Sequence, residues 1–246
     1  MIELLGLGVR RDGGNGWLLH RVCTQLGSGE LVAVVSRDPA ERRALLDAVA
    51  GRRQPDEGRV YVGRVPITRE TVGKLRARVG DADLTLALEE SRSVLWNVLA
   101  GRRPGVRALL GLFRLPRRDQ RQAALAALGR ADLVAPPSER VSQLDGEARA
   151  RLVIARELAR HPEYLAVHDL DLHLGGGRPE RLLETLGLLA HGERLGVLAS
   201  LDSWALARVY ADRIIALAGG LLVFDGPPAS LTGDLVSRRL GGALPG

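Results

Sequence analysis

The sequence predicts an α/β fold: a mostly parallel sheet with added antiparallel β elements, interrupted by a helical insertion. Three observations carry that prediction. Short apolar runs of strand type alternate with longer runs of helical period, the order that builds parallel βα units. One of them, Leu31-Val32-Ala33-Val34-Val35, is continuously apolar in the manner of a buried strand and passes at once into a helical pattern. Between two such β/α regions lies a long stretch, residues 85–160, of mostly helical character.

Each element follows from local chemistry. After Val35, the run Ser36-Arg37-Asp38-Pro39 opens a helix whose Leu45, Leu46, Val49 and Ala50 share one face, and Gly51 supplies its stop. Pro55-Asp56-Glu57-Gly58 reads as a turn into the alternating strand Val60-Tyr61-Val62. The helical stretch has an Arg/Pro-rich interruption over 114–118 and closes with a helix over 147–160, before Pro162. Then β/α alternation returns, with strands over 164–167 and 195–199 and helices over 179–189 and 203–211. Two last strands, 214–217 and 221–224, are expected to pair through Ala218-Gly219-Gly220. The expected organisation is one domain over 1–246, with a core of about 1–84 and 162–246 and a helical sub-domain of about 85–161, and no internal repeat.

Composition narrows the function classes. A chain of 246 residues can bury a sizeable core, and 46% hydrophobic residues exclude disorder. Thirty-five basic against 29 acidic residues give a formal charge of +6, and Lys74 is the only lysine, so the charge is arginine's and permanent. Acids and bases interleave, as in Glu41-Arg42-Arg43, so no nucleic-acid partner is expected. Cys23 stands alone, which excludes an internal disulfide, dithiol redox chemistry and Cys-type zinc sites. The longest uncharged apolar run, 214–224, holds a Gly-Gly pair and is well short of the ~20 residues needed to span a bilayer. Met1-Ile2-Glu3 lacks a leader pattern. The expectation is a cytoplasmic protein, or one docked peripherally on the inner face of the cell membrane.

Several stretches of text are specific enough to compare. They are Gly29-Glu30 with the strand that follows, Pro55-Asp56-Glu57-Gly58-Arg59-Val60, and Arg151-Leu152-Val153-Ile154-Ala155-Arg156. Ala211-Asp212-Arg213-Ile214-Ile215 and Asp225-Gly226-Pro227 join them. In this order the chain resembles an ABC-transporter nucleotide-binding subunit over nearly its whole length, which implies a P-loop NTPase-like core. Residues 93–102 and 109–118 are most similar to the ATP-binding subunits of phosphonate importers.

The resemblance also implies where chemistry should sit, and each of those positions is changed. A phosphate loop uses glycines so that backbone N–H groups can curl round phosphate, a lysine for the β and γ phosphates, and a hydroxyl for magnesium. Here the loop reads from Ser36 to Ala44: Ser36 replaces the first glycine, Glu41 the second, Arg42 the lysine and Arg43 the hydroxyl. Asp38, Pro39 and Glu41 instead spell a capping box with proline at its preferred first position, so carboxylates would take the helix N–H groups that otherwise bind phosphate. Arg42 and Arg43 would offset the repulsion, although a planar guanidinium is no replacement for a compact ammonium.

The Walker B acid aligns with His168, which cannot give a carboxylate to hydrated magnesium, and the catalytic glutamate with Asp169, one methylene shorter. The signature motif becomes Leu144-Asp145-Gly146-Glu147-Ala148, with an acid where a hydroxyl would meet γ-phosphate. The lid glutamine aligns with Leu84 and the switch histidine with Leu201; the base-stacking aromatic is missing at Asp12 and Gly13, Trp17 being the nearest. Asp169, Asp171 and His173 recur at i, i+2 and i+4, which would share one face of an extended segment; with His168 they are either a divalent-metal set or solvated polar residues past a strand end. Asp12 to Gly16 and Gly175-Gly176-Gly177 read as turns.

Three functions are consistent with these residues. The first is a pseudo-ATPase, an ABC-type subunit that keeps its docking surfaces but has lost efficient hydrolysis, needs no cofactor, and partners another ABC-type subunit and a membrane permease. The second is an ATP-hydrolysing subunit of a phosphonate-type importer, using ATP and magnesium with Arg42 on phosphate and Asp169 as base. The third, a basic adaptor binding acidic partners or nucleic acid through its arginines, has only the charge behind it. The resemblance implies head-to-tail dimers, in which both composite sites of a homodimer would pair an altered loop with an altered signature.

Overall fold

The computed structural model describes residues 1–14, 16–85, 88–101, 117–172, 174 and 178–231. Asn15, most of the Arg/Pro-rich interruption, His173 and Gly175-Gly176-Gly177 lie outside the described residues. Strand β1 (Ile2–Arg10) pairs antiparallel with β2 (Trp17–Leu26), and a later strand lies on its other side. After β3 (Leu31–Val35) comes helix α1 (Pro39–Val49), then β4 (Glu57–Val62) and the short β5 (Val65–Pro66), completing a sheet of order β2-β1-β4-β5. The chain continues through α2 (Val72–Leu75), β6 (Val79–Asp83), α3 (Val94–Gly101), α4 (Arg118–Arg130) and α5 (Gly146–Leu158). Then follow β7 (Tyr164–His168), α6 (Pro179–Glu193), β8 (Gly196–Leu201), α7 (Trp204–Tyr210), β9 (Arg213–Ala218) and β10 (Leu221–Gly226).

The second sheet has six strands in the order β10-β9-β3-β8-β7-β6, all pairs parallel except the terminal hairpin. Every residue of β3, β7 and β8 is buried, because helices or the first sheet cover both faces, and this is why their text is continuously apolar. One face carries α3, α4, α5 and α6 in a single apolar cluster with sheet residues such as Ala33, Val35, Leu165 and Val167. On the other face α1, through Leu45, Leu46 and Val49, lies between this sheet and the four-stranded one. The β9–β10 hairpin turns on Gly219 and Gly220, both at positive φ (58° and 80°), which explains the glycine pair.

The structure departs from the expected elements in identifiable places. Strands β1 and β2 are not in the expected list, because Gly6 (φ 61°) and Arg21 (φ 54°) break their alternation where the pairing register shifts. Strand β6 reads Val-Gly-Asp-Ala-Asp, and its two acids hide a strand that is buried at Val79, Gly80, Ala82 and Asp83. Residues 131–145 are not helical apart from one 3-10 turn at Val141–Gln143, since Pro136 and Pro137 remove two backbone donors. Helix α6 runs on to Glu193 and stops where Arg194 turns left-handed (φ 58°).

Candidate functional site

Parallel strands deliver their carboxyl ends to one edge of the sheet, where open α/β folds place ligands. Here that edge gathers Ser36 after β3, Asp83 ending β6, His168 and Asp169 at the end of β7, and Leu201 and Asp202 at the end of β8. Asp38 caps α1: its Oδ1 accepts the Ala40 N–H at 2.9 Å. Its Oδ2 takes Arg11 Nη2 at 2.6 Å, and this hydrogen bond, against the opposing effect of burial, holds the carboxyl below the usual carboxylate range.

Glu41 corrects the expected capping box. Its carboxylate does not return to the Asp38 N–H, which donates instead to Ser36 Oγ at 3.1 Å. Glu41 is 2% exposed and crosses the loop, accepting from Ser36 Oγ at 2.6 Å and from the Gly220 N–H at 2.7 Å. The Gly220 N–H at the hairpin tip takes the second carboxylate oxygen, so the loop is tied to the β9–β10 hairpin as well as to itself.

Arg42 is fully buried. Its Nη1 donates to the Ser36 carbonyl and, at 3.2 Å, to Asp202 Oδ1, while Nη2 lies 3.5 Å from Asp169 Oδ1. Neither Nε nor Nη2 has a hydrogen-bond partner among the described residues. Asp169 sits at φ 44°, and its N–H donates to Ser200 Oγ at 2.7 Å. The arginine therefore spans the ends of β3, β7 and β8 by itself. Ala44 faces away, into the core.

Arg43 points elsewhere, donating to Asp83 Oδ2 at 2.7 Å. Arg52 bonds both Asp81 and Asp83, and Thr85 Oγ1 donates to Asp83 Oδ1 at 2.6 Å. Burial pushes the Asp83 carboxyl up, but the hydrogen bonds from Thr85 and Arg52, with Arg43 nearby, outweigh it and hold the group well below its ordinary value. His168 Nε2 pairs with Asp81 Oδ1 at 2.9 Å, and its Nδ1 is buried without a partner among the described residues. Asp47, on α1, is pushed up by burial, against the pull of His168, Arg43 and Arg52.

These residues do not fit a magnesium ion. The two positions where the family resemblance expects a hydroxyl and a carboxylate carry Arg43 and His168, and both side chains are engaged by Asp83 and Asp81. Hard divalent cations need several free oxygen ligands, and the nearby acids are ion-paired with arginine. Among the described residues no group of three His, Cys, Asp or Glu side chains could hold a metal ion. Of the Asp169/Asp171/His173 set, His173 lies outside the described residues, so the set as a whole stays an expectation from the sequence. The strand ends at His168, and Asp171 accepts the N–H groups of Asp202 and Ser203 at 3.0 and 2.7 Å.

Other expected residues stand apart from this cluster. Leu84 packs partly buried against the core, and Leu201 is fully buried at the end of β8. Asp145 caps α5 through the Ala148 N–H at 2.8 Å, Gly146 begins that helix, and Glu147 pairs with Arg151 at 3.1 Å. Asp145 and Glu147 border a separate cavity of about 490 Å³ with Asp132, Arg181 and Leu188. Trp17 is engaged within the first sheet, with Arg10 4.4 Å over its ring and His20 stacked at 5.0 Å. Asp202, Gly220, Asp81, Asp83, Arg52 and Arg11 are not among the site residues expected from the sequence. The i, i+2 spacing of Asp81 and Asp83 before Thr85 is the one sequence signal that points to any of them.

A six-stranded, mainly parallel sheet whose strand ends meet a loop and helix N-terminus, flanked by an antiparallel sheet and a helical layer, defines a nucleotide-binding-cassette architecture. The ABC transporter family model matches residues 19–169, and the chain belongs to that family. It is 30% identical over 226 residues to the phosphonates import ATP-binding protein PhnC 1 of Rhodopseudomonas palustris (strain BisB18), covering 91% of this chain and 83% of that protein. With the PhnC 1 of Natronomonas pharaonis it shares 34% over 235 residues, covering 94% and 95%. In fold it is similar to the ATP-binding cassette MJ0796, solved as a dimer bound to ADP and phosphate. That likeness has a TM-score of 0.76 at 21% identity, over 94% of this chain and 100% of that one.

Proposed function

We propose that this chain is the cassette subunit of a phosphonate-type import assembly, working beside a second cassette subunit and a membrane permease at the inner face of the membrane. Its support is the near full-length similarity to proteins named as phosphonate import ATP-binding subunits. No helix among the described residues is long and apolar enough to cross a membrane, consistent with a subunit that borrows its membrane part from a partner. We also read the chain as a core of about 1–84 and 162–246 with a helical sub-domain of about 85–161.

Two forms of this function differ in what happens to ATP. The names of the relatives favour a subunit that binds and hydrolyses ATP with magnesium. One specific observation favours a subunit whose hydrolysis is lost or very weak: Arg43 and His168 stand at the magnesium positions and are each paired to a buried or half-buried aspartate of β6. Losing the metal removes the charge that neutralises developing phosphate oxygens, a large part of phosphoryl-transfer catalysis. On that ground the residues favour a structural or regulatory cassette.

The test is co-expression with the permease genes of a phosphonate-type importer, followed by affinity purification and an ATPase assay of the assembly with and without magnesium. Co-purification with turnover no higher than an assembly lacking this chain is the expected result. Magnesium-dependent turnover that depends on this chain would establish the hydrolysing form, and failure to co-purify would end the importer reading.

A further inference from the structure

We propose that the phosphate loop is an anion seat closed from within: Glu41 and Asp38 act as the loop's own anionic ligands, and the β9–β10 hairpin locks Glu41 in place. The inference deepens the weak-hydrolysis form of the proposed function and rests on it. Glu41 is 2% exposed, and both of its oxygens are engaged, one by Ser36 Oγ at the start of the loop and the other by the Gly220 N–H. Held by these two donors, the carboxylate lies across the loop where a phosphate would have to sit. Asp38 adds a second charge on the N-terminus of α1, where an anion would otherwise receive backbone N–H groups.

Independent of the acids, the cation of the seat is still present. Arg42 reaches back to the Ser36 carbonyl from inside the protein, and its Nε and Nη2 are buried with no hydrogen-bond partner among the described residues. Nη2 has the Asp169 carboxylate 3.5 Å away without a hydrogen bond, and Nε has no partner among the described residues; unused donors on a buried guanidinium are costly unless an anion or water meets them. Beside the loop there is also room: a cavity of about 210 Å³ lies between Ser36, Asp38 and Glu41 on one side and Leu217 and Gly219 of the hairpin on the other. A seat that keeps its helix end and adjoining space, with two acids in the middle and an arginine behind the loop paired to Asp169 and Asp202, is closed rather than dismantled. Once the acids are removed, the ligand class it takes is a linear polyphosphate, through charge alone and without a metal.

The experiment uses inorganic pyrophosphate in metal-free buffer, a probe with no base and no hydrolysis to confuse the reading. Thermal shift and calorimetric titration are run on the wild type, on Asp38→Ala/Glu41→Gly, and on the same double variant carrying Arg42→Met. The expected result is no shift in the wild type, a rise of roughly 5–10 °C in the double variant at 100-fold excess over its Kd, and loss of that rise with Arg42→Met. If the double variant does not fold, Glu41→Gln removes the charge while keeping the shape. It should bind pyrophosphate at least about tenfold more tightly than the wild type, a change of ~1.4 kcal/mol. Equal binding by the wild type overturns the proposal, because the seat would be open. No binding by a folded variant overturns it too, because the seat would be dismantled. Either failure leaves the importer reading standing, since that reading is decided by co-purification with the permease.

Discussion

Arg42 and Asp169 face each other inside the protein, with Nη2 3.5 Å from Oδ1, the arginine fully buried and the aspartate nearly so. The pair joins the residue that the family resemblance aligns with the phosphate loop's lysine to the one it aligns with the catalytic acid, and the two groups are ion-paired with one another. Removing one member of a buried pair leaves an uncompensated charge and costs about 3–5 kcal/mol, far more than an exposed pair is worth. Arg42→Met should therefore lower the stability read from a urea midpoint by that amount. Arg42→Lys should fall between Arg42→Met and the wild type, because an ammonium cannot span Ser36, Asp169 and Asp202 as the planar fork does. A midpoint for Arg42→Met within error of the wild type would mean that the contact is incidental.

The Asp83 carboxyl gives a pH prediction with a definite sign. Its folded pKa lies below the unfolded value, so its contribution is present above the unfolded pKa of about 3.9 and is lost as pH falls through and below that range. Asp83→Asn removes the acceptor shared by Arg43 and Arg52 and should cost about 3 kcal/mol at pH 7. The difference from the wild type should persist to about pH 5 and close in more acid solution. Denaturant titrations at several pH values check it; a gap that stays constant down to acid denaturation would assign the cost to packing instead.

Asp47 carries the opposite sign. Burial raises its folded pKa, one of its oxygens has no hydrogen-bond partner among the described residues, and its arginines stand off at 3.7 and 4.0 Å. A group whose pKa is raised in the folded state destabilises the protein while ionised, and that penalty disappears as pH falls below the unfolded pKa. Asp47→Asn should accordingly stabilise by about 1 kcal/mol at pH 7, a rise of roughly 2–4 °C in Tm, with no gain near pH 3. A loss of stability at pH 7 would mean that the pairing with Arg43 and Arg52 outweighs burial.

Most of the six-stranded sheet is legible in the sequence because β3, β7 and β8 are buried on both faces and so are written in uninterrupted apolar residues. Alternation is the only signal for β1 and β2, and the kinks at Gly6 and Arg21 erase it. At the site, the order of residues from Ser36 to Ala44 is enough to see that the loop departs from the pattern the family resemblance implies. It is not enough to see which partners its side chains take instead. Local spacing pairs Glu41 with the wrong partner because Gly220, 179 positions away, is brought to it only by the β3–β9 pairing. Arg43 finds Asp83, and His168 finds Asp81, because β6 lies next to β7 in register, Asp83 opposite His168. Local rules describe a helix cap well; which strand lies beside it is a property of the whole fold.

That register also argues a last prediction, one that runs against intuition from the family. His168→Asp puts a carboxylate at the position that the resemblance aligns with the Walker B acid, and in a magnesium site it would repair function. Here the new acid would face Asp81, whose Oδ1 is now 2.9 Å from His168 Nε2, with Asp83 on the neighbouring strand opposite it. Two like charges at about 4 Å repel by about 4 kcal/mol in the effective dielectric of a protein edge, partly relieved by Arg43 and Arg52. The substitution should thus destabilise by about 2–3 kcal/mol at pH 7. The loss should shrink in acid, where one carboxyl of the pair holds a proton. Pairing it with Asp81→Asn should recover most of the loss, since the repulsion then has no second charge. A thermal scan of the two variants decides the matter: a stable His168→Asp protein would show that Arg43 and Arg52 can neutralise three acids at once, and that the site is closer to a metal centre than its present pairing implies.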